Sequence, residues 1–442
     1  MPDHHDHVAF GIACAMLAGG CIEHELRART REACGSHAAW IDELAAEVAD
    51  TCAMTWPFLR AHDLARRIAD LPAYRRAWLG ERKPRIAHWI LRPERKLIAP
   101  MALDGVDLPD LGSIGDLAAW LGIDTATLDW FCANPALRRQ SPMHRQHYRW
   151  LVRRKPAGGV RVLAAPLARL RALQRRVLDG LLSRLPMHEA AMGFVRGRSV
   201  IDHVRQHTGQ AVVACFDLRD FFGSVRASRV HAAFATLGYA GGICRAITAL
   251  VTCRAPEALV ARLLDDRLID HEHALRLRDA HLPQGAPTSP ALANACAFNL
   301  DLRLDGLARA MGATYSRYAD DIAISGDRVL AQRRRELEAL VGAIAREEGF
   351  ALNHRKSRSA TRAGAQRLCG LNCNEHPNLP RREFDQLKAL LHRCVRDGPS
   401  AHAQGHADFR AHVLGRVAWA RQVNAAKAAR LDCELSRIDW QR

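Results

Sequence analysis

The paired acids of Tyr318-Ala-Asp-Asp321 are the first residues whose types and spacing suggest chemistry. They lie between two strand-like runs, Ala313–Arg317 and Ile322–Ser325, so both carboxylates fall at a tight turn. A divalent cation needs several oxygen ligands converging from rigid backbone, and such a turn can supply two of them. The same dipeptide also suits an ordinary solvated turn, because Asp tolerates turn conformations. A third carboxylate separates the two readings. Ala211-Val-Val-Ala-Cys-Phe-Asp217 is a continuous apolar run of buried-strand type that ends on an acid. Burying that acid is costly unless it is paired or binds metal. Treating Asp217 as an exposed strand end that caps a turn leaves the following Phe221-Phe222 pair unexplained.

Between the lone acid and the paired ones lies His281-Leu-Pro-Gln-Gly-Ala-Pro-Thr-Ser-Pro290. Ser289 reads as an N-cap and Pro290 as the first turn of a long helix reaching Ala310. Gln284 and Gly285 precede it in a loop free of bulky side chains, where a ligand can approach the backbone.

In this order the three motifs resemble the palm of a reverse transcriptase, and most closely the bacterial retron type, from about Tyr148 to Leu431. The resemblance implies an α+β right-hand polymerase of fingers, palm and thumb, with an antiparallel palm sheet flanked by helices and a helical N-terminal extension. Residues 1–100 would form the extension, 101–380 the fingers and palm, and 381–442 the helical thumb. Asp217, Asp320 and Asp321 would hold two Mg2+ ions, and Phe222 would gate against the ribose 2′-hydroxyl. Gln284 and Gly285 would lie beneath template and incoming nucleotide. Arg161, with Lys155 as a second candidate, matches the hold on the triphosphate, and Lys356 matches a lysine that protonates departing pyrophosphate. Leu368-Cys369-Gly370 corresponds to the primer grip. Joining a nucleotide to a 3′-hydroxyl is an in-line displacement at phosphorus, served by two metals about 3.5–4 Å apart. Carboxylates from separate strands are what that chemistry needs.

Two departures from the retron pattern stand out. Where the family carries Asn-Ala-x-x-His this chain has His203-Val-Arg-Gln-His207, of which only His207 matches, and Val-Thr-Gly is replaced by Leu368-Cys369-Gly370. In the family His203 and His207 would correspond to RNA recognition, and the grip to priming. The retron reading implies a structured non-coding RNA as template and primer, dNTPs as substrates, an RNA–DNA product, and a role in antiphage defence with a possible effector protein. A retron-related defence polymerase with other priming or template-independent synthesis is one alternative, and an RNA-binding scaffold with a vestigial palm is another.

The elements that must position these residues are legible in outline. Trp150–Leu163 reads as a β-hairpin with a Gly-containing turn. Pro166–Leu185 reads as an amphipathic helix with Leu170, Leu173, Val177 and Leu181 on one face. Val329–Glu348 reads as a helix with Leu337, Leu340, Val341 and Ile344 inward, stopped by Gly349. Ile41–Ala53 and Pro57–Leu79 read as helices of a small N-terminal bundle. The Leu111–Trp130 segment has a helix-turn-helix pattern. Its surroundings carry net charge −2 over residues 101–150, so it is expected to brace the fingers rather than read DNA.

The net charge of +17 is uneven, reaching +9 over residues 151–200 and +6 over 351–400 but −6 over residues 1–50. Basic clusters on both sides of the acidic motifs imply a polyanionic partner. Arg82–Lys96, basic around His88-Trp89, is either an RNA contact or a linker. Thirteen cysteines without a CxxC pair indicate neither a disulfide framework nor a zinc site, and Cys369 and Cys373 read as packing positions. Val8–Cys21 faintly resembles a lipoprotein leader, but the acidic, His-rich residues before it argue against export. The run is also too short to span a membrane; the unpaired cysteine pattern fits a reduced cytoplasm.

Overall fold

The computed structural model describes residues 4–59, 61–90, 103, 105–133, 147–155, 158–403 and 405–441. The chain divides into two compact units, Met1–Lys96 and Leu97–Arg442. In the first, helices α1 (His4–Met16), α2 (Glu23–Cys34), α3 (Ala39–Cys52), α4 (Ala61–Asp70) and α5 (Pro72–Leu79) share one apolar core. The expected Pro57–Leu79 helix is two helices, because Leu71, extended at φ −69 and ψ 139, precedes Pro72 and breaks the run. Trp89 of the basic segment packs its ring 5.3 Å from His7 of α1, so this part of Arg82–Lys96 is held within the unit. Residues beyond 90 of that segment lie outside the described residues. No helix among the described residues is long and apolar enough to cross a membrane.

The second unit is built on strands β1 (Tyr148–Arg154), β2 (Val160–Pro166), β3 (Val212–Asp217), β4 (Thr314–Tyr318), β5 (Asp321–Gly326), β6 (Arg358–Thr361), β7 (Arg367–Leu368) and β8 (Leu371–Asn372). β1 and β2 form a hairpin, β7 and β8 another, and the remaining four form a sheet in the order β4-β5-β3-β6. All of these pairings are antiparallel.

Why β3 is apolar at every position before Asp217 follows from the layers around it. Side chains alternate along a strand. Val212, Ala214 and Phe216 enter one core with Ile322 and Ile324 of β5 and with Leu300, Leu304, Leu337 and Val341 of two helices. Val213, Cys215 and Ala323 enter a second core with the β7–β8 hairpin and the C-terminal helices Arg381–Asp397, Phe409–Val423 and Ala425–Ser436. A sheet covered on both faces selects a continuous hydrophobic run rather than an alternating one. The helix pair Ile114–Leu121 and Thr125–Cys132 buries Leu117, Leu121, Leu128 and Phe131 in the first core, which makes it a structural brace.

Several sequence-based boundaries shift. The long helix after the Pro-Gln-Gly loop is two, Ser289–Cys296 and Phe298–Ala310. They join where Ala297 N–H is shared between the carbonyls of Ala293 and Asn294, a local tightening of the turn. Ser289 is not the cap: its hydroxyl donates to Pro283 O at 2.7 Å and ties the loop to the helix. The Val329–Glu348 helix also divides, at Arg333, into Arg328–Gln332 and Arg334–Glu347. The second helix therefore buries Leu337, Val341 and Ala345 and leaves Leu340 exposed.

His203 and His207, expected to recognise RNA, are both buried. Each brings Nδ1 to a serine hydroxyl at 2.7 Å, His203 to Ser316 and His207 to Ser325, while His207 Nε2 meets Ser316 at the same distance. The expectation is corrected: these rings brace β4 and β5 from inside the fold, where RNA does not reach. Burial pushes His203 down to about 4. Burial, aided by His203, pushes His207 down to about 3. The folded values lie below the ordinary one, so the unfolded chain binds more protons between them. The stability involved is present above about pH 6.5 and is lost as pH falls through that window, by about 1.4 kcal/mol per pH unit for each histidine. Urea midpoints measured from pH 7.5 to 5 should fall, and more steeply than in a His203→Gln, His207→Gln variant. Equal slopes in the two proteins would remove these rings as the cause.

Candidate active site

Register brings the acids together. Asp217, the last residue of β3, is the direct cross-strand partner of Asp321, the first of β5. Counting alternately from Val213, Cys215 and Ala323 puts both carboxylates on the sheet face that carries the β7–β8 hairpin. Tyr318 pairs with Asp321, leaving Ala319 and Asp320 as a two-residue turn. Leu218 N–H donates to Asp320 O at 2.9 Å and pins that turn to the chain leaving Asp217.

The turn is strained. Ala319 has φ 58, a left-handed conformation that costs a residue with a Cβ about 1 kcal/mol or more. Arg317 holds it by donating from Nη1 to Ala319 O at 2.9 Å. Arg317 is itself wholly buried and forks onto Asp301 at 2.7 and 2.6 Å, with Asp301 equally buried. Tyr315 donates its hydroxyl to Asp301 at 2.6 Å. Asn294 accepts from Arg317 and donates to Gly193 O at 2.8 Å. Gly193 must be glycine here, since a Cβ would lie 2.5 Å from Ala319 N. The sequence signals for this network were an arginine inside a buried strand and an acid beside the apolar positions Leu300 and Leu304. Neither was read.

Like charges across a strand pair repel, and the site shows it. Burial raises Asp320 above the usual carboxylate range, and Asp321 and Asp217 raise it further. Burial likewise raises Asp321, with the Cys369 thiol pulling it down and Asp217 pushing it up. Asp217 is compensated by Lys356 Nζ at 2.7 Å and Asn353 Nδ2 at 3.1 Å. The hydrogen bond to Asp217 holds the Lys356 ammonium above its ordinary value against burial. Lys356, expected to protonate a leaving group, is therefore the counter-ion of Asp217 in this arrangement. Asn353, which sequence reading passed over, also donates its backbone N–H to Asp217 O at 2.7 Å.

Three hard oxygen donors, crowded and partly desolvated, are a donor set that a divalent cation would relieve. Among the described residues no three His, Cys, Asp or Glu side chains already converge as a metal cage. The Asp217 carboxylate holds Lys356 and Asn353 instead.

The remaining expected residues border this cluster unevenly. Leu368 is buried in the second core and so is corrected from a grip residue to a packing one. Cys369 and Gly370 form the β7–β8 turn at φ 46 and 85. Cys369 is not mere packing: its Sγ donates to Asp321 Oδ2 at 3.5 Å. Gln284 O accepts from Ala164 N–H of β2 at 3.0 Å. Gly285, at φ 132, passes so close that a Cβ would meet Ala164 O at 3.1 Å. Arg161 and Lys155 stand exposed on the β1–β2 hairpin, whose Val160 and Val162 pack on helices Glu257–Asp265 and His271–Arg278. Phe222 follows Asp220, which turns the chain at φ 48 and accepts from Arg276 at 2.9 Å.

Residues 153–387, which contain all three acids, match the reverse transcriptase (RNA-dependent DNA polymerase) family. The retron Mx65 reverse transcriptase of Myxococcus xanthus is 39% identical over 325 residues, 72% of this chain and 69% of that one. This chain belongs to the retron-type reverse transcriptases. It is also similar to the retron Mx162 reverse transcriptase of Myxococcus xanthus, at 31% identity over 75% of this chain and 68% of that one. The retron Ec86 reverse transcriptase of Escherichia coli is 27% identical over 58% of this chain and 72% of its own length. The enzyme is thus an RNA-directed DNA polymerase, with a fold that mixes helix and sheet.

Breaking the buried pair from one side should be severe. Arg317→Leu leaves Asp301 buried and uncompensated, and chemical denaturation should show a loss of about 3–5 kcal/mol. Replacing the set together (Arg317→Leu, Asp301→Leu, Tyr315→Phe) should recover part of that stability while DNA synthesis stays about tenfold or more below normal. Wild-type kcat in the triple variant would show that the turn does not depend on Arg317.

Proposed function

We propose that this reverse transcriptase copies a cognate structured non-coding RNA, serving as template and primer, into DNA joined to that RNA. The observation that carries the reading is the cross-strand pairing of Asp217 with Asp321 beside the Asp320 turn. It supplies carboxylates from two strands at one point. Residues 101–380 act as fingers and palm, 381–442 as the thumb along the duplex, and 1–100 as an extension. The retron relatives support a dedicated RNA partner, and by that kinship the role is antiphage defence, with an effector protein as a further partner. The clusters of +9 and +6 charge support a polyanion held on both sides of the acids.

Asp217, Asp320 and Asp321 would hold two Mg2+ ions, which supply charge stabilisation and an activated hydroxyl when bound. The chain's own groups do the rest. Arg161, with Lys155, orients the triphosphate oxygens of a dNTP through a planar fork suited to phosphate. The Gln284–Gly285 backbone carries template and nucleotide, and Phe222 excludes a 2′-hydroxyl. Cys369 and Gly370 support the primer end. The primer 3′-oxygen then bonds to the α-phosphorus as the bond to pyrophosphate breaks. Lys356, whose ammonium stands 2.7 Å from Asp217, would give its proton to the departing pyrophosphate.

An Asp320→Asn, Asp321→Asn variant should lose DNA synthesis and keep RNA binding, measured by primer extension and filter binding; extension at the normal rate would sink the assignment. Sequencing of nucleic acid copurified with the active enzyme should find one discrete RNA covalently joined to DNA. Heterogeneous or protein-linked DNA would instead point to another mode of priming. Phe222→Ala should admit ribonucleotides, and unchanged sugar selectivity in single-nucleotide insertion would end its gating role.

A further inference from the structure

Phe194 is a bulky residue held in a backbone conformation it does not favour. Its φ is 63, in the left-handed region, and its side chain is 48% exposed. Large apolar side chains in that conformation are genuine outliers, and they persist only where the surroundings over-determine them. The surroundings here do so. Arg317 N–H donates to Ala190 O at 2.8 Å and Met192 N–H to Arg317 O at 2.7 Å, so this segment runs beside β4. Asn294 holds Gly193 O, and Gly193 lies against the Ala319 turn. On the far side Arg198 donates to the carbonyls of His188, Glu189 and Ala191 at 3.1, 2.7 and 2.7 Å. The chain around Phe194 is thus fixed by the network that fixes the acids.

What that fixed backbone presents is a ring. Its centroid lies 6.1 Å from Phe222, tilted by 44°, and 6.5 Å from Tyr318, tilted by 38°. Phe221 is a second ring neighbour of Phe222, at 5.6 Å. Phe222 sits on a single helical turn, Phe221–Ser224, which by itself gives its ring little support. Of the two rings Phe194 is the more exposed, and Phe222 is partly buried against the first core.

We propose that Phe194 is a specificity-determining positioning residue: its ring sets the placement of the Phe222 ring and so the discrimination between deoxyribose and ribose nucleotides. The inference rests on the reading of Phe222 as the sugar gate. A gate excludes one oxygen atom only if its ring cannot retreat. Phe194, anchored through Gly193 and Arg198, is the fixed neighbour that limits how far the Phe222 ring can move.

The test is single-nucleotide insertion on a primer–template with Mg2+, comparing kcat/KM for dNTP and rNTP. Phe194→Ala should lower the discrimination ratio by about tenfold while changing dNTP insertion less. Phe194→Gly should do the same, and it suits the backbone, so a folding defect in Phe194→Ala does not decide the matter. Phe194→Tyr, which keeps the ring, should retain the ratio. Adding Phe194→Gly to Phe222→Ala should cause no further loss, because both changes act through one ring. Loss of selectivity in Phe222→Ala alone, with Phe194→Ala and Phe194→Gly at the wild-type ratio, overturns the inference and leaves the gate reading standing. Additive losses overturn it in favour of an independent contact with the nucleotide. An unchanged ratio in Phe222→Ala overturns both.

Discussion

A fully buried ion pair underlies the geometry of this enzyme. Arg317 and Asp301 are both 0% exposed, and neither charge is tolerable without the other. Buried pairs of this kind are weak contributors to stability, because desolvation offsets the attraction between the partners. Their value lies in direction. The Arg317 fork fits Asp301 in one orientation, and its remaining donor then falls on Ala319 O, the strained residue of the acidic turn. The same set of bonds reaches Asn294 and, through it, Gly193. One interaction therefore fixes the turn, the strand beneath it and the segment that carries Phe194.

The acidic turn is held from both faces of the sheet. Arg317 works from the face shared with the helical core, while Cys369 reaches Asp321 from the face shared with the C-terminal helices. Asp217 is restrained separately by Lys356 and by Asn353, whose side chain and backbone both bond to it. The acids are thus preorganised against their own repulsion, at a cost visible in the raised values of Asp320 and Asp321. Carboxylates held in place beforehand suit the uptake of cations, since reorganisation on binding would add to its cost.

The two histidines show how a motif position can change its job. The resemblance to retron enzymes implied that His203 and His207 recognise RNA. Here they bond Ser316 and Ser325 under the strands that present the acids. Leu368 behaves likewise, as a core residue whose neighbour Cys369 meets the site.

Much of the site was legible from local pattern. An apolar run ending on an acid, a Pro-Gln-Gly loop before a helix, and an acidic pair between strands each reflect short-range constraints of burial, loop shape and turn chemistry. Those constraints act within a few residues, so a single sequence determines them. The cross-strand register of Asp217 with Asp321, the two-sided burial of β3 and the bond from Cys369 to Asp321 join residues roughly 50 to 220 positions apart. Periodicity carries no trace of such partners. The same holds for Arg317, whose charge inside a strand pattern looks like a defect until Asp301 is placed beside it. The sequence determined which residues could do the chemistry. Tertiary structure decided which of them meet, because only the packed sheet makes a buried charge, a strained alanine and a half-exposed phenylalanine mutually consistent.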